Sequence, residues 1–186
     1  RVADWLDGVE AGLGLPAGAI AVLPIATETA ASIFGLGGYK GVTPRLAGLT
    51  WGAEDLAASL GATENASGGR HHSPYRLARD LCLMGAAAAG VPAYDTVYTD
   101  IDNLDGLGEE SRAARRDGFA GKMVIHPKHV EPANAAFTPS EAEIVWAQKI
   151  VDAFAADPGL GVIRIDGRMI DKPHLRAAEK ILASRG

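Results

Sequence analysis

Four apolar runs of strand length punctuate the first two thirds of the chain, and polar turns follow them. Ala19 to Ala26 (AIAVLPIA) leads into Thr27-Glu28-Thr29 and an alanine-rich helix start. Leu46 to Trp51 (LAGLTW) leads into Gly52-Ala53-Glu54-Asp55 and another helix start. Ala93 to Thr99 (AYDTVYT) precedes a helix over Leu104 to Asp117 that stops at Gly118, and Lys122 to Ile125 (KMVI) ends in His126-Pro127. Helical spacing also marks Val2 to Leu13 and Arg76 to Ala89; the latter carries Leu77, Leu81, Met84 and Ala88 on one face and ends in Gly90-Val91-Pro92, a C-cap signal. Uninterrupted apolar strands alternating with helices predict a parallel sheet covered on both faces. With a repeat of about 25 to 35 residues, four such units suit half of a (β/α)8 TIM barrel, and a doubly wound open sheet is the alternative.

After Pro132 the pattern changes. Thr138-Pro139-Ser140-Glu141 is a helix start at which Thr138 or Ser140 could cap, and the helix runs through Ile144, Val145, Ala147, Ile150, Val151 and Phe154. It breaks at Asp157-Pro158-Gly159. Then GVIRIDGRMID reads as two short strands around the Asp166-Gly167 turn, and a last helix spans His174 to Ala183. The expected organisation is a barrel portion over residues 1–135 and a helix–hairpin–helix appendage over 136–186.

Composition narrows the function. A net charge of −5 with no basic run argues against nucleic acid or an anionic membrane surface as the main partner. No apolar stretch approaches the roughly 20 residues of a membrane span. A single cysteine, Cys82, excludes an internal disulfide framework or a multi-thiolate zinc site and makes a cytoplasmic location the expectation. The chain starts at Arg1, without an initiator Met and inside a helical pattern, and is expected to be the remainder of something longer.

In a parallel β/α architecture, ligands sit beyond the carboxyl ends of the strands. The polar residues there are Glu28, Glu54, Asp55, Asp95, Asp100 and His126. Glu28 and Asp55 interrupt apolar runs with no basic residue beside them. A buried carboxylate without a partner is costly, and a hard divalent cation such as Mg2+ would remove that cost. On spacing alone, capping of the following helix is an equal alternative for both. His126 reads first as a turn-shaping residue and second as a base or ligand. His71 and His72 fall in a polar loop and read as solvated; Cys82 reads as core. Asp100, Asp102 and Asp105 read as a solvated helix entry, because Gly106 is misplaced for a calcium loop. Gly35-Leu36-Gly37-Gly38 lacks the Lys-Ser/Thr of a phosphate loop.

Five blocks carry a family resemblance: TETA (27–30), TWGAEDLAASLG (50–61), AYDTVYTDIDNLDGL (93–107), GFAGKMVIHPKHVEPANAAFTPSEAEIVWA (118–147) and IDGRMIDKPHLRAAEKIL (165–182). They resemble the citrate lyase beta subunit and malyl-CoA lyase group of the HpcH/HpaI aldolase superfamily. The resemblance implies a (β/α)8 barrel with a C-terminal lid, commonly trimeric, that makes or breaks a carbon–carbon bond in 3-hydroxyacyl-CoA thioesters such as malyl-, citramalyl- or citryl-CoA. It implies Mg2+ (or Mn2+) on Glu28 and Asp55, and a catalytic Asp171 reaching over the site of a neighbouring subunit. His126 and Pro127 match a family loop near the CoA end. CoA thioesters and 2-oxo acids are the implied partners. The family's first four strands, with a substrate-gripping Arg, have no counterpart in the sequence, and Glu28 stands in IATE where the family more often has LIE. A thioesterase on the same scaffold, or a binding or assembly subunit without activity, are the alternative expectations.

Overall fold

Glu10 decides how the chain begins. Helix α1 (Val2–Leu13) buries Leu6 and Glu10 and stops at Gly14, whose left-handed backbone (φ 66°) closes the last turn. A buried carboxylate needs every lone pair answered, and here it is. Glu10 accepts from the Ile20 and Gly18 amides at 2.7 and 2.8 Å and from both terminal nitrogens of Arg45 at 2.6 Å. Arg45, also buried, donates further to the Ile20 carbonyl (3.0 Å) and to Asp7 (2.5 Å). The clamp fixes α1 to the segments on either side of the first strand.

The computed structural model describes residues 1–184 and divides into two compact units, residues 1–137 and the chain from Thr138 onward. After α1, Val22 and Ile25 make isolated parallel bridges to Leu46 and Thr50 in place of the expected strand over 19–26. Pro24 explains the interruption: its carbonyl accepts from the Thr50 amide, but it has no N–H to return. A short helix α2 (Ala30–Ile33), capped by Thr29, and a 3-10 turn (Leu36–Tyr39) follow. Next come β1 (Leu49–Thr50), α3 (Glu54–Leu60), a hairpin of β2 (Ala66–Ser67) and β3 (Arg70–His71), and α4 (Ser73–Ala89). The unit closes with β4 (Ala93–Asp95), α5 (Leu104–Asp117), β5 (Gly121–Lys122) and α6 (Val130–Phe137). Strands β1, β4 and β5 pair in that order, all parallel, with Thr50 opposite Tyr94 and Asp95 opposite Lys122. The β/α alternation is thus present, with strands shorter than the apolar runs. Leu49, Trp51, Leu56, Tyr75, Cys82 and Phe119 form the core between sheet and helices. The small face of α4 allows close packing: a side chain at Gly85 would come within 2.9 Å of the Leu36 carbonyl.

The second unit holds α7 (Glu141–Ala156), an antiparallel hairpin of β6 (Val162–Ile165) and β7 (Arg168–Asp171), and α8 (Lys172–Ala183). Ser140, of the two candidates, caps α7 in a reciprocal box with Glu143. Asp166 and Gly167 take positive φ (48° and 80°) at the hairpin turn, which their residue types tolerate. Ile150, Phe154, Ile165 and Ile170 fill its core. Among the described residues no helix is long and apolar enough to cross a membrane.

The Glu10 clamp carries a pH dependence. Hydrogen bonding to Arg45 holds the Glu10 carboxyl down to about 2, against a usual 4.5. A depressed carboxylate stabilises the fold above its unfolded pKa, and that stability is lost as pH falls through the folded value. Thermal melts of Glu10→Gln are expected to show a lower Tm near neutrality and a shallower fall between pH 4.5 and about 2 than the parent protein. Parallel curves would exclude the clamp as the cause.

Candidate functional site

The loops that follow the strands enclose a cleft of about 530 Å3 in the first unit. Glu28 enters from the loop after the Val22–Ile25 segment, and Asp55 from the first turn of α3. Thr50 and Trp51 form part of the lining, and so do the β2–β3 hairpin, the run from Thr96 to Asp100 after β4, and Glu110 of α5. The loops bearing Glu28 and Asp55 are tied to each other by Thr27. Its buried hydroxyl accepts from the Gly52 amide (3.0 Å) and donates to the Gly52 carbonyl (3.1 Å).

Neither carboxylate caps the helix after it: Thr29 caps α2, and α3 begins at Ala53 without a side-chain cap. Both are exposed in the cleft. The burial cost that first singled them out is therefore absent, and it is their position at successive strand ends that recommends them. Among the described residues no group of three or more His, Cys, Asp or Glu side chains could hold a metal. Two carboxylates with the remaining positions left to water and ligand oxygens suit Mg2+, which dehydrates reluctantly and binds through one or two carboxylates.

Under the cleft lies a network that the sequence reading passed over. Asp95, 1% exposed at the end of β4, accepts from the Trp51 indole (2.6 Å), Arg79 Nε (3.1 Å) and Lys122 Nζ (3.3 Å). Lys122, its side chain fully buried, also reaches Glu110 at 2.5 Å, and Arg79 reaches Asp117 at 2.9 Å. Burial works against the Arg79 charge, but Asp95 and Asp117 more than offset it and leave its pKa raised. Register held the signal: Asp95 and Lys122 are opposite residues on adjacent strands.

His71 differs from expectation. It is half-buried, lines the cleft, and sets its ring edge-on to Trp51 at 5.1 Å. His72, which meets Glu64 at 3.0 Å, stays outside the lining. His126 and Pro127 are exposed and lie outside the lining as well; His126 Nδ1 accepts from the Lys128 amide at 3.2 Å and shapes the turn there. Asp102 pairs with Lys128, and Asn103, not an aspartate, caps α5. Cys82 is fully buried, its thiol pushed up to about 12 by desolvation. Asp171 belongs to the second unit. It caps α8, accepting from the His174 amide (3.5 Å) and lying 2.5 Å from His174 Nδ1, a contact that holds its pKa low.

Residues 4–127 match the family described as HpcH/HpaI aldolase/citrate lyase, and residues 75–185 match that of carbon–carbon bond lyases of the TIM-barrel fold. The chain belongs to the HpcH/HpaI aldolase/citrate lyase family. Within that family it is 39% identical to a (3S)-malyl-CoA thioesterase of Cereibacter sphaeroides over 75% of this chain and 48% of the relative. It is 38% identical to the mitochondrial citramalyl-CoA lyase of Rattus norvegicus over 72% of this chain and 39% of the relative. The chain thus spans about half the length of the curated relatives it matches. Among solved structures, it superposes on the Mycobacterium tuberculosis CitE complex with magnesium, acetoacetate and coenzyme A with a TM-score of 0.73. The identity is 29%, and the match covers 97% of this chain and 73% of that one. A citrate lyase of Burkholderia xenovorans, at 20% identity, gives a TM-score of 0.79 over 97% of this chain and 57% of that one, a likeness of fold. The mixed α/β architecture is that of a TIM-barrel lyase family.

Removing Asp95 takes the shared buried acceptor from Lys122 and Arg79 beneath the cleft and leaves them with Glu110 and Asp117 respectively. Asp95→Ala is expected to cost about 1 to 3 kcal/mol of stability, as measured by denaturant unfolding, since the Trp51 indole and the fully buried Lys122 ammonium each lose an acceptor while Glu110 still pairs the charge. A change under about 0.5 kcal/mol, the range of an ordinary surface substitution, would rule the network out as the support of the cleft floor.

Proposed function

We propose that this protein works as a Mg2+-dependent carbon–carbon lyase that cleaves or forms a 3-hydroxyacyl-CoA, exchanging it with an acyl-CoA and a 2-oxo acid. One observation carries the reading: Glu28 and Asp55 come from consecutive strand-end loops, tied by Thr27, and face one cleft in a chain of this family. The likeness to the mitochondrial citramalyl-CoA lyase and to the CitE complex with magnesium and coenzyme A supports the same substrate class. Glu28 and Asp55 would hold Mg2+, which when bound offsets the negative charge of the 2-oxo acid.

The chain's own groups supply the rest. Bond formation requires loss of a proton from the carbon beside the thioester, and cleavage returns that proton to the same carbon. Asp171, kept ionised by His174, suits the accepting role. We place it over the cleft of a neighbouring subunit in a homotrimer, as a lid that excludes water. His126 and Pro127 are proposed to lie towards the CoA end. The four β/α units correspond to the C-terminal half of an eight-unit barrel. Leu23, Ile25, Val124 and Ile125 remain 37–52% exposed on the first and last strand segments, apolar surface that a closed barrel would cover.

The test is a coupled assay for acyl-CoA and 2-oxo acid from malyl- and citramalyl-CoA with added Mg2+. Asp55→Ala and metal chelation are each expected to lower kcat/KM by about 100-fold or more. Unchanged turnover in Asp55→Ala would end the metal assignment. The malyl-CoA thioesterase among the relatives favours a second outcome: free CoA and a hydroxy acid, without 2-oxo acid, would identify hydrolysis on the same site.

A further inference from the structure

The wall of the cleft after β4 is the run from Thr96 to Asn103, and every residue of it lines the cleft except Ile101 and Asp102. Those two are tied to one neighbour, the turn Pro127–His129 that leads into α6. Lys128 pairs with Asp102, and His129 Nε2 lies 3.1 Å from the Ile101 carbonyl oxygen. Within the run, Asn103 Nδ2 donates to the Tyr98 hydroxyl at 3.1 Å, and Asn103 Oδ1 receives the Gly106 amide at 2.9 Å. A side chain at Gly106 would collide with that hydroxyl, so the close approach depends on glycine. The wall is held from its own side by Asn103 and from outside by the turn.

The two outside ties differ in weight. The Asp102 side chain is almost wholly in water, and an exposed ion pair is screened by salt and opposed by side-chain entropy. His129, by contrast, is fully buried. A carbonyl oxygen only accepts, so His129 Nε2 carries the hydrogen in this contact. Nδ1 is enclosed and has no partner among the described residues. A hydrogen there would be a buried donor with nothing to receive it, so the neutral Nε2–H imidazole is the form that fits. The side chain thus has one directed contact, the Ile101 carbonyl. His126 and Pro127 build the turn that aims it: Pro127 opens the turn with its fixed φ, and His126 Nδ1 accepts from the Lys128 amide.

We infer that His129 is a positioning residue that fixes the Thr96–Asn103 wall of the cleft through the Ile101 carbonyl, so that binding in the cleft depends on a buried side chain outside its lining. The effect on turnover rests on the lyase reading above; the effect on the wall does not. A wall set before the ligand arrives leaves less to be ordered on binding. Small displacements of positioning groups lower rates steeply, even when the group is remote from the chemistry.

The experiment uses His129→Leu, which removes the donor and keeps the bulk, and His129→Gln, whose amide N–H replaces that of the imidazole. In the parent protein, nitrogen NMR of the histidine side chains is expected to show His129 as the Nε2–H tautomer. A hydrogen on Nδ1 overturns the tie whatever the variants do. Amide exchange is then read at Asn103 and Leu104, which bond to the Asp100 and Asp102 carbonyls, against Leu49 and Thr50 in the sheet. His129→Leu is expected to speed the first pair about fivefold or more and to spare the second, and His129→Gln to restore the parent rates. No acceleration in His129→Leu, equal acceleration of both pairs, or the same acceleration in His129→Gln overturns the positioning role. Turnover of malyl-CoA with Mg2+ is the functional arm: kcat/KM is expected to fall about tenfold or more in His129→Leu and to recover in His129→Gln. Unchanged kcat/KM in a His129→Leu protein whose wall exchanges faster overturns the dependence on His129 and leaves the lyase reading standing. A parent protein that turns over no thioester overturns the lyase reading alone, and the tautomer and exchange results then decide the positioning.

Discussion

A carboxylate with almost no access to water has to be answered by donors, and Asp95 is answered by three that come from three different elements. Trp51 follows β1, Arg79 belongs to α4 and Lys122 ends β5. Away from water each of these contacts is strong, and losing one leaves a buried polar group short of a partner. The three strand ends are therefore held at one level around Asp95. The loops that leave that level, with Glu28, Asp55 and the Thr96 to Asp100 run, form a cleft above a fixed floor. The Trp51 ring, pinned through its indole N–H, passes this order on to His71 by an edge contact.

The same arrangement explains the charge of the cleft. Lys122 and Arg79 are engaged by Asp95, Asp117 and Glu110, so among the described residues the lining presents carboxylates and neutral groups. Such a surface repels an anionic substrate unless a cation stands between them. The divalent ion proposed for the exposed carboxylates would answer both needs, drawing the anion in and relieving the mutual repulsion of the acids. Thr27 contributes by setting the distance between two loops that would otherwise move independently.

What could be read from the sequence follows from which rule applies where. Apolar runs bounded by Gly and Pro revealed the β/α alternation, and the strand-end rule led to Glu28 and Asp55 without any knowledge of contacts. Strand lengths were overestimated because Pro24 removes a donor and because the chain after Asp95 leaves the sheet to line the cleft. The supports were less legible. Asp95 needs Lys122, 27 residues away, and Arg79, 16 away, and only strand register and helix packing bring them together. His71 looked solvated because its neighbours Gly68, Gly69, Arg70 and His72 are polar or small; Gly68-Gly69 is a local turn signal, but no apolar alternation flanks it to mark the strands that turn His71 towards Trp51. The buried Glu10 was equally silent, since its partner Arg45 lies 35 residues on.

Asp171 shows how a helix cap and the chemical role proposed here can share one side chain. Read alone, Asp171 before Lys172-Pro173 is a helix cap, and the geometry includes that cap. Both side-chain contacts to His174, the amide and the ring nitrogen, fall on Oδ1. The second oxygen has no partner among the described residues. A cap of this kind fixes the carboxylate's direction at the start of α8, and the imidazole stabilises its charge. Orientation and ionisation are what a proton-accepting group on a lid requires, and both are supplied without using Oδ2. The cap therefore prepares the residue for the chemistry proposed for it and does not compete with it.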